Sequence, residues 1–434
     1  MKAERIKNID FVNKNGLCTE CGTCYGVCPR DNIVVTVDNV GQYSFKINDP
    51  QKCEGCHLCY TVCPGFEVDF QQLYTSIFPG SSDFHAIIGH HSGIYLGYSV
   101  DDKVRSKAAS GGVTSALLCY ALETGKIEGV FVVRMQNADE GDPLSPKVYL
   151  ATTKEEVLRA QQSKYITVPM NMCLREIIRD KSDKRYAFVG LACQMHGLRK
   201  AEQQIPRLRR KIVLRIGLIC GHSMNRLGTR HLLRLVNARE SDVEYIEYRA
   251  KQWPGNFLAK LKNGGEIMIS HPDWTSYVLT AYEKWRCHFC PDPLCELADV
   301  SVGDPWLPQL RGERGYNLII SRTDCGVEFL EDAQKAGVIE AFKVDPHKVI
   351  ESQGRSLYRK KHLISAYVKL AKLLRRPVPC YAGLKTPNNL SLRDYCEVVF
   401  LQAVRTLASK DQAQGLMPFL GKLFLKLKTF KRRK

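Results

Sequence analysis

Largely apolar runs of six to eleven residues alternate with amphipathic stretches through the middle of the chain. The strand-like runs are YLGYSV (95–100), GVFVVR (129–134), KVYLAT (147–152), RYAFVG (185–190) and KIVLRIGLICG (211–221). Helical spacing follows in SALLCYALETG (115–125), KEEVLRAQ (154–161) and PMNMCLREIIRD (169–180). Buried strands separated by helices are typical of an α/β domain with a largely buried sheet.

Other patterns flank this domain on both sides. IVVTV and YSFKI, separated by a turn at Gly41, alternate as the strands of a β-hairpin do. Residues 244–270 contain shorter strand-like segments with an Asn-Gly-Gly turn at 263–265. Residues 355–376 and 389–409 have helical spacing, and a stretch rich in proline and glycine separates them.

Eight cysteines near the N-terminus form the same motif twice. Each copy reads C-x2-C-x2-C-x3-C-P, the bacterial ferredoxin motif for [4Fe–4S] clusters. The fourth cysteine of each copy binds the other cluster. The predicted ligands are therefore, for the first cluster, Cys18, Cys21, Cys24 and Cys63, and, for the second, Cys53, Cys56, Cys59 and Cys28. Zinc sites and disulfide frameworks show other spacings.

Composition narrows the class of protein further. The 434 residues include 18 cysteines, and the chain has a formal net charge of +18 at pH 7. Many thiols indicate a reducing compartment. The start lacks the apolar core of a signal peptide, and no run of about 18 apolar residues predicts a membrane span. We therefore expect a cytoplasmic protein. No nucleic-acid-binding motif accompanies the positive charge, so we predict no nucleic-acid partner.

A Ser-Gly-Gly turn lies between the strand at 95–100 and the next helix. Ser110, Gly111, Gly112 and Thr114 are followed directly by helical spacing. Glycines allow close backbone approach, and a helix N-terminus favours phosphate. Most such turns are ordinary loops, so phosphate binding and a plain turn both stay open on this feature alone.

Four further cysteines follow predicted strands or form a close pair. Cys193 and Cys220 come just after strand ends, and Cys287 and Cys290 form C-x2-C. Strand ends line the binding crevice of open α/β sheets, so these cysteines are expected to converge. A third iron–sulfur cluster, structural zinc and buried free thiols all remain open from spacing. We expect the other cysteines outside such spacing to be core residues, among them Cys119, Cys173, Cys325, Cys380 and Cys396.

Taken together, these segments resemble the coenzyme F420 hydrogenase/dehydrogenase beta-subunit family, in the form with an N-terminal two-cluster ferredoxin domain. The matching motifs, in family order, are R-x4-SGGVT (105–114), QQSKY (161–165), GLACQ (190–194), ICGH (219–222), C-x2-C (287–290) and ADVSVGD (298–304). The resemblance implies a bound FAD, a nearby [4Fe–4S] cluster, and electron exchange between a two-electron carrier and one-electron clusters.

The resemblance also implies roles for individual residues. Ser110, Gly111, Gly112 and Thr114 would hold the FAD phosphates, and Ser163, Lys164 and Tyr165 would line the flavin. Asp304 ends a strand-like segment and is expected at the site or as a turn cap. Cys193, Cys220, Cys287 and Cys290 would bind the third cluster. Ala192 replaces the proline usual before the first of these. Lys164 and His222 are candidate catalytic residues, although a histidine beside a cysteine turn is more often structural.

The predicted fold class is α+β and α/β, with a small bacterial-type two-cluster ferredoxin domain, a mixed α/β flavin-binding domain and a helical C-terminal segment. The expected bounds are 1–70 for the ferredoxin domain, 71–94 for a linker, 95–345 for the FAD and iron–sulfur domain, and 346–434 for the helical C-terminal region with its basic tail.

The basic tail alternates Leu or Phe with Lys or Arg over 415–434. Such a segment can lie on an anionic membrane surface, remain solvated or dock on an acidic partner. The predicted function is an iron–sulfur flavoprotein oxidoreductase that works with a small-molecule carrier and a redox partner protein or ferredoxin. The alternatives are a non-catalytic electron-transfer subunit and a redox protein of polysaccharide biosynthesis without F420 activity.

Overall fold

The computed structural model describes residues 8–53, 55–80, 83–251, 253–275, 278–310, 314–384 and 389–409. The basic tail predicted at 415–434, with the membrane and partner contacts proposed for it, lies outside the described residues. Among the described residues, no helix combines the length and the apolar character that crossing a bilayer requires.

The N-terminal unit is built around a hairpin. Its elements are α1 (Ile9–Lys14), α2 (Thr23–Val27), β1 (Ile33–Val37), β2 (Tyr43–Ile47) and α3 (Leu58–Thr61). The two strands pair antiparallel with Ile33 opposite Ile47, which confirms the predicted hairpin. Phe45 is fully buried beneath them and packs with α1, because alternate strand residues face the same side.

The segment predicted as a linker is structured instead. It follows β3 (Glu67–Asp69) and contains most of α4 (Phe70–Ile77), then β4 (Phe84–His85) and β5 (Gly89–His90). The Asp69 side chain caps α4 by accepting a hydrogen bond from the Gln72 amide at 2.9 Å. Phe70, Leu73 and Tyr74 are buried on one face of this helix. Their i, i+3, i+4 spacing is the helical signal that the linker assignment overlooked.

The larger unit begins at residue 93. Its first elements are β6 (Gly93–Ser99), α5 (Asp102–Lys107), α6 (Val113–Glu123), β7 (Gly129–Met135), β8 (Pro146–Ala151), α7 (Lys154–Arg159), α8 (Leu174–Arg179), β9 (Tyr186–Leu191), α9 (Ala192–Gln204), α10 (Pro206–Lys211) and β10 (Ile212–Leu218). There follow α11 (Arg226–Leu235), β11 (Val243–Ala250), β12 (Asn256–Leu261), β13 (Glu266–Ile269), α12 (Val278–Ala281), β14 (Val300–Gly303), β15 (Asn317–Ser321), α13 (Asp324–Lys335) and β16 (Ile339–Lys343).

Eight of these strands form one mixed sheet in the order β16-β6-β15-β14-β10-β9-β7-β8. The central pairs β14–β10, β10–β9 and β9–β7 are parallel, and the outer pairs are antiparallel. Side chains alternate between its faces. Val130 and Val132 pack with α6 and α13, whereas Phe131 packs with α9 and the N-terminal unit. Both faces are therefore covered, as the apolar runs predicted.

A separate three-stranded sheet, β11-β12-β13, stands beside the main one. Its pairs are antiparallel, and the predicted Asn-Gly-Gly turn joins β12 to β13. The Leu261 amide donates to the Gly265 carbonyl at 2.8 Å across this turn, and Gly264 takes a φ of +84°. Trp274 and Tyr248 are buried against this sheet.

The described C-terminal region consists of α14 (His347–Leu357), α15 (Ile364–Leu373), β17 (Cys380–Ala382) and α16 (Leu392–Ala408). A π-helical turn, Tyr358–His362, joins the first two helices. Strand β17 pairs in parallel with β3 of the N-terminal part. The predicted helices are confirmed, but the sequence did not predict this strand, because three residues carry no periodic pattern.

Candidate functional site

The first group of N-terminal cysteines combines both motif copies. Burial raises the pKa of the Cys24 thiol, and the neighbouring thiols of Cys18, Cys21 and Cys63 raise it further. Backbone amides already point at two of these sulfurs. The Glu20 amide donates to Cys18 Sγ and the Gly65 amide to Cys63 Sγ, each at 3.3 Å. The structure thus brings together the four residues that the motif assigns to one cluster.

The second group lines a pocket at the edge of the N-terminal unit. Cys28 of the first motif lies in this pocket with three cysteines of the second motif, namely Cys53, Cys56 and Cys59. Arg30 and Lys52 line the same pocket. The Asn32 side-chain amide donates to Cys53 Sγ at 3.0 Å, and its backbone amide donates to Cys28 Sγ at 3.3 Å. This grouping matches the predicted exchange of fourth cysteines between the copies.

The remaining four predicted ligands form what we call the inner cysteine set, which is Cys193, Cys220, Cys287 and Cys290. Cys193 lies in the first turn of α9, and Cys220 follows β10. The Cys220 amide donates to the Pro293 carbonyl at 2.9 Å, which fixes the strand end against the chain after Cys290. Cys287 belongs to a 3-10 turn. Strand ends and one tight turn therefore position all four thiols.

The thiols of the inner cysteine set are near enough to affect one another's ionisation. Burial raises the pKa of Cys193, and Cys21, Cys290, Cys220 and Cys287 add to the effect in that order. Burial likewise raises the pKa of Cys220 to about 12. Four thiols that hinder one another's ionisation suit a cationic iron–sulfur core, which would stabilise all of them as thiolates. In the described ranges, no three or more His, Cys, Asp or Glu side chains are arranged closely enough to hold one metal ion between them.

The other cysteines divide into two kinds. Cys119 and Cys173 are buried, as expected. The expectation was wrong for three cysteines that are exposed, namely Cys325, Cys380 and Cys396. The first and last lie on outer helix faces and the second on the short strand β17, where helical spacing alone did not distinguish the two faces.

Cys295 lies near the inner cysteine set but faces the sheet. Its thiol donates to the Gly190 carbonyl at 3.8 Å. A Cβ atom at Gly217 would lie 2.5 Å from its sulfur, so this strand glycine makes room for the cysteine. Cys295 is fully buried, and its packing is that of a core residue.

The first ferredoxin group and the inner cysteine set adjoin each other. Among the neighbouring thiols that raise the pKa of Cys193, Cys21 has the largest effect. Asn171 connects the two segments, since its side-chain amide donates at 2.8 Å to Thr23 Oγ1 and to the Gln194 carbonyl. Its own backbone amide donates to the Cys21 carbonyl at 2.8 Å. The hydrogen bonds of Asn171 therefore hold the segment of Cys21 beside the helix that carries Cys193.

Arg286 spans the same junction. Its buried guanidinium donates to the Leu17 and Gly65 carbonyls at 3.0 Å each, and to the Pro64 carbonyl at 3.2 Å. These carbonyls belong to the two loops that carry Cys18 and Cys63. Because Arg286 immediately precedes Cys287, one side chain fixes the inner cysteine set to the first ferredoxin group.

A network of buried charges surrounds the inner cysteine set. Glu283 pairs with Arg359, with Arg405 at 3.1 Å and with His288 Nδ1 at 3.3 Å. Burial opposes the charge of Glu283, but Arg359 and its other cationic neighbours outweigh burial and lower its pKa. Burial lowers the pKa of His222 to about 4. His222 Nδ1 faces Arg359 at 3.5 Å, and its Nε2 is buried without a partner among the described residues.

The Ser-Gly-Gly turn packs tightly against the sheet. A Cβ atom at Gly111 would lie 2.7 Å from the Gly97 carbonyl oxygen, and Gly112 takes a φ of +80°. The Ser110 hydroxyl donates to the Tyr316 carbonyl, and the Val113 amide donates to Asn317 Oδ1 at 3.0 Å. Two donors of the predicted phosphate cradle are thus engaged within the protein, while the Thr114 side chain follows them in the first turn of α6.

Arg249 joins the three segments predicted to line the flavin. Its guanidinium donates to the Ala109 carbonyl at 2.7 Å, to the Tyr165 hydroxyl at 3.1 Å and to Asp304 at 2.8 Å. Burial opposes its charge, but Asp304 and Tyr165 outweigh burial and raise its pKa. Asp304 therefore forms an ion pair and does not cap its turn. Sequence reasoning missed Arg249, because a single arginine on a strand belongs to no motif.

Lys164 points away from this group. Its ammonium donates to the carbonyls of Ala160 and Gln161 at 2.6 Å and of Gln162 at 2.9 Å, which are the last acceptors of α7 and the turn after it. Burial lowers its pKa to about 7. These contacts describe a helix cap, so the catalytic role predicted for Lys164 stays a prediction. Ser163 precedes it in the same half-buried loop.

Aromatic rings cover the outer side of Arg249. Trp253 and Trp306 lie 4.7 Å apart between ring centroids, and the His271 ring stacks on Trp306 at 5.7 Å. The guanidinium of Arg249 lies 5.3 Å from the Trp253 ring and 5.6 Å from the Trp306 ring. Trp306 is 42% exposed, so an aromatic surface reaches solvent beside the buried ion pair.

The fold and the clustered cysteines define an iron–sulfur redox protein. The 4Fe-4S dicluster domain family matches residues 17–65. Two models describe the beta subunit of coenzyme F420 hydrogenase/dehydrogenase. The model of its N-terminal part matches residues 94–175, and the model of its C-terminal part matches 183–347. The chain belongs to the coenzyme F420 hydrogenase/dehydrogenase beta-subunit family, as the sequence motifs predicted.

Curated relatives and a solved structure agree with this assignment. The beta subunit of coenzyme F420 hydrogenase from Methanosarcina barkeri is 29% identical over 254 residues, which cover 58% of this chain and 81% of that protein. One of the subunits of F(420)H(2) dehydrogenase from Methanosarcina mazei is 27% identical, over 74% of this chain and 83% of its own length. A chain of the F420-reducing [NiFe] hydrogenase complex of Methanosarcina barkeri shares the fold, with a TM-score of 0.53, 24% identity, and coverage of 70% of this chain and 99% of its own.

Proposed function

We propose that this protein is an iron–sulfur flavoprotein that exchanges electrons between a two-electron carrier and a redox partner protein. In this proposal it holds one FAD and three [4Fe–4S] clusters, two in the N-terminal unit and one on the inner cysteine set. A reducing, cytoplasmic setting suits twelve thiolate ligands.

The observation that carries the proposal is the junction at Asn171, whose hydrogen bonds to the Cys21 and Gln194 carbonyls bring the segments of Cys21 and Cys193 together. It joins the inner cysteine set to the first ferredoxin group, and Cys24 of that group in turn has Cys59 of the second group as a neighbour. Electron transfer needs closely spaced redox groups in a fixed arrangement. The thiols form such a series, from the larger domain to the edge pocket that contains Arg30 and Lys52.

The residues present fit the clusters. Each group offers four cysteines, and the first two groups already direct amide donors at their sulfurs. Such hydrogen bonds stabilise thiolate ligands and raise the potential of the cluster that they hold. The two basic side chains at the edge pocket favour an acidic redox partner at that end of the series.

The flavin would lie between the start of α6 and Arg249. Thr114 offers a hydroxyl at the helix start, and Arg249 holds the Ser110 loop, Tyr165 and Asp304 in one arrangement. The aromatic surface of Trp253 and Trp306 provides flat contact area for a ring system. When bound, a flavin accepts two electrons as hydride and releases them singly.

In this scheme, the side chains of the protein itself hold the loops of the site in place and pair the buried charges around it. Arg249 stays protonated because the Asp304 carboxylate pairs with it. Since its charge is paired inside the protein, Arg249 can hold the loops together without binding an external anion. Glu283 and its cations hold the chain between α12 and Cys287. His222, whose Nε2 is buried and without a partner among the described residues, is the one predicted catalytic residue with an available nitrogen. We propose that this nitrogen would donate a hydrogen bond to a group bound beside Cys220.

The proposal is tested on anaerobically purified protein by counting iron, sulfide and released flavin per chain. About twelve irons and one FAD are expected for three four-iron clusters and one flavin. About eight irons would remove the third cluster from the proposal. Reduced F420, NADH and NADPH are then each tested as electron donors. The named relatives act with F420, but their names do not identify the carrier that this chain uses.

A second candidate function is a flavin-free electron relay. The observation that favours it is the use of the Ser110 hydroxyl and the Val113 amide within the protein, which leaves fewer donors for phosphates. A relay would contain the irons but release no flavin, and two-electron donors would not bleach its visible spectrum. The same iron and flavin counts therefore decide between the two functions.

A further inference from the structure

The C-terminal region forms one wall of the inner cysteine set, although the family match ends at residue 347. A Cβ atom at Gly221 would lie 3.5 Å from Ser356 Oγ, so α14 approaches the loop after Cys220. The His288 ring stacks on Tyr367 of α15 with centroids 4.3 Å apart and an angle of 11°. The π-helical turn Tyr358–His362 packs against the 3-10 turn that carries Cys287.

This π-helical turn directs three consecutive cations into the protein. Arg359 pairs with Glu283, Lys361 pairs with Glu296 at 2.6 Å, and Lys360 between them is only 5% exposed. Successive side chains of an α-helix point about 100° apart, so three in a row do not normally face inward. A π-helical turn changes this spacing, and such turns occur frequently at functional sites.

Lys360 differs from its two neighbours in what it faces. Each neighbour has a carboxylate partner, whereas Lys360 forms no ion pair with a carboxylate among the described residues. Its turn packs against the turn that carries Cys287, and the sulfurs of Cys290, Cys220 and Cys287 affect its charge more than Glu283 does. A buried ammonium is costly unless anions face it. Neutral thiols would leave it poorly compensated, whereas an anionic thiolate cluster would not.

We propose that Lys360 is a positioning residue that compensates the negative charge of a four-iron cluster on the inner cysteine set and thereby raises its reduction potential. This inference rests on the third cluster of the proposed function. Reduction adds one electron to the cluster without forming or breaking a bond, and the ammonium keeps its proton throughout. A fixed positive charge stabilises the reduced state more than the oxidised state, because the attraction grows with the added charge.

The test is an anaerobic redox titration followed by electron paramagnetic resonance, with iron counted on the same samples. Wild type is compared with Lys360→Met, which removes the charge, and Lys360→Arg, which keeps it. Lys361→Gln is the matched control, because it removes an adjacent cation that faces Glu296 and can still donate to it. A Cys220→Ser chain identifies the signal of the third cluster by its absence.

The expected result is a more negative potential for that one signal in Lys360→Met. At the wild-type midpoint, its reduced-to-oxidised ratio falls by about tenfold or more. The two ferredoxin signals stay unchanged, and Lys360→Arg and Lys361→Gln resemble wild type. Loss of four irons in Lys360→Met with retention in Lys360→Arg also supports the inference, since charge and not shape then decides whether the cluster is held.

Two results would overturn the inference in distinguishable ways. Twelve irons in every chain with the same potential for the third signal in Lys360→Met would refute the role of Lys360 and leave the proposed function intact. About eight irons in wild type would refute the third cluster and the role of Lys360 together. Melting temperatures of all variants separate either result from general unfolding.

Discussion

The eight N-terminal cysteines and the four inner cysteines reach their sites by different routes. The first eight lie within 46 residues, from Cys18 to Cys63, and short loops place them. The inner four come from three segments that span Cys193 to Cys290, and strands β9 and β10 with one 3-10 turn place them. The first arrangement is encoded locally, and the second exists only after the sheet has formed.

The two regions also differ in what surrounds the sulfurs. Neutral donors, namely backbone amides and the Asn32 side chain, approach the ferredoxin sulfurs. Largely buried charges lie near the inner set, including Lys360, Arg359 and Glu283, of which the last two form an ion pair. The ferredoxin loops direct their own backbone amides at the sulfurs. The inner set is assembled from distant segments, so side-chain charges from beyond the family match can lie beside it.

The largest effect that this contrast predicts is loss of one cluster without the others. Cys220→Ser should remove about four of twelve irons, because a serine oxygen replaces one thiolate of the inner set. Iron analysis and magnetic resonance measure the loss. Cys56→Ser in the edge pocket is the matched control and should remove a different signal. If either variant lost all iron, the two regions would not be independent.

Arg249→Lys should release the flavin while leaving the irons in place. A lysine keeps the charge but cannot reach Ala109, Tyr165 and Asp304 together, because it lacks the guanidinium fork. With about 1.5–3 kcal/mol for a charged hydrogen bond, the flavin Kd should rise by roughly ten- to a hundredfold. Fluorescence of released flavin measures it. Tyr165→Phe removes only the hydrogen bond between Arg249 and the Tyr165 hydroxyl, so it should raise the flavin Kd by less than Arg249→Lys does.

Acid should destabilise the larger unit through its buried histidines. His231 is 2% exposed, and burial, aided by Arg234, lowers its pKa to about 4. Since the unfolded histidine binds a proton near pH 6.5, stability is lost as pH falls from 6.5 toward 4. Between pH 7.5 and 5.5 this group accounts for about 1.4 kcal/mol.

Anaerobic urea unfolding at both pH values checks the histidine. His231→Gln should lose about 1.4 kcal/mol less than wild type over that interval. Other buried histidines, including His288, keep part of the pH dependence in both chains. Identical pH dependence in wild type and variant would show that His231 is not responsible.

The smallest effect concerns the neutral donors of the ferredoxin region. Asn32→Leu removes the side-chain donor to Cys53 Sγ, so the cluster of the edge pocket should become harder to reduce. The shift should be on the order of tens of millivolts, below the 59 mV that correspond to a tenfold change for one electron. Asn48→Leu, outside both cysteine groups, is the control. A shift in the inner-set signal instead would contradict the separation of the two regions.

Prediction from sequence succeeded where spacing carries the information. The ferredoxin motif, the hairpin of β1 and β2, and the main strands followed from local patterns. Arg249, Arg286 and Lys360 were missed, because each acts through residues far away in the sequence. Arg286 offered one signal, its position directly before Cys287. A buried arginine beside a ligand motif is worth testing as a link between sites.

The pairing of β17 with β3 has a consequence for how the protein is assembled. Cys380–Ala382 must reach back to Glu67–Asp69 across more than three hundred residues, so this link to the ferredoxin unit cannot form until those late residues have been synthesised. The inner cysteines stay uncovered during the same interval, since α14 and α15 form their wall. We therefore expect the inner cysteines to be most accessible for cluster delivery before α14 and α15 have folded over them.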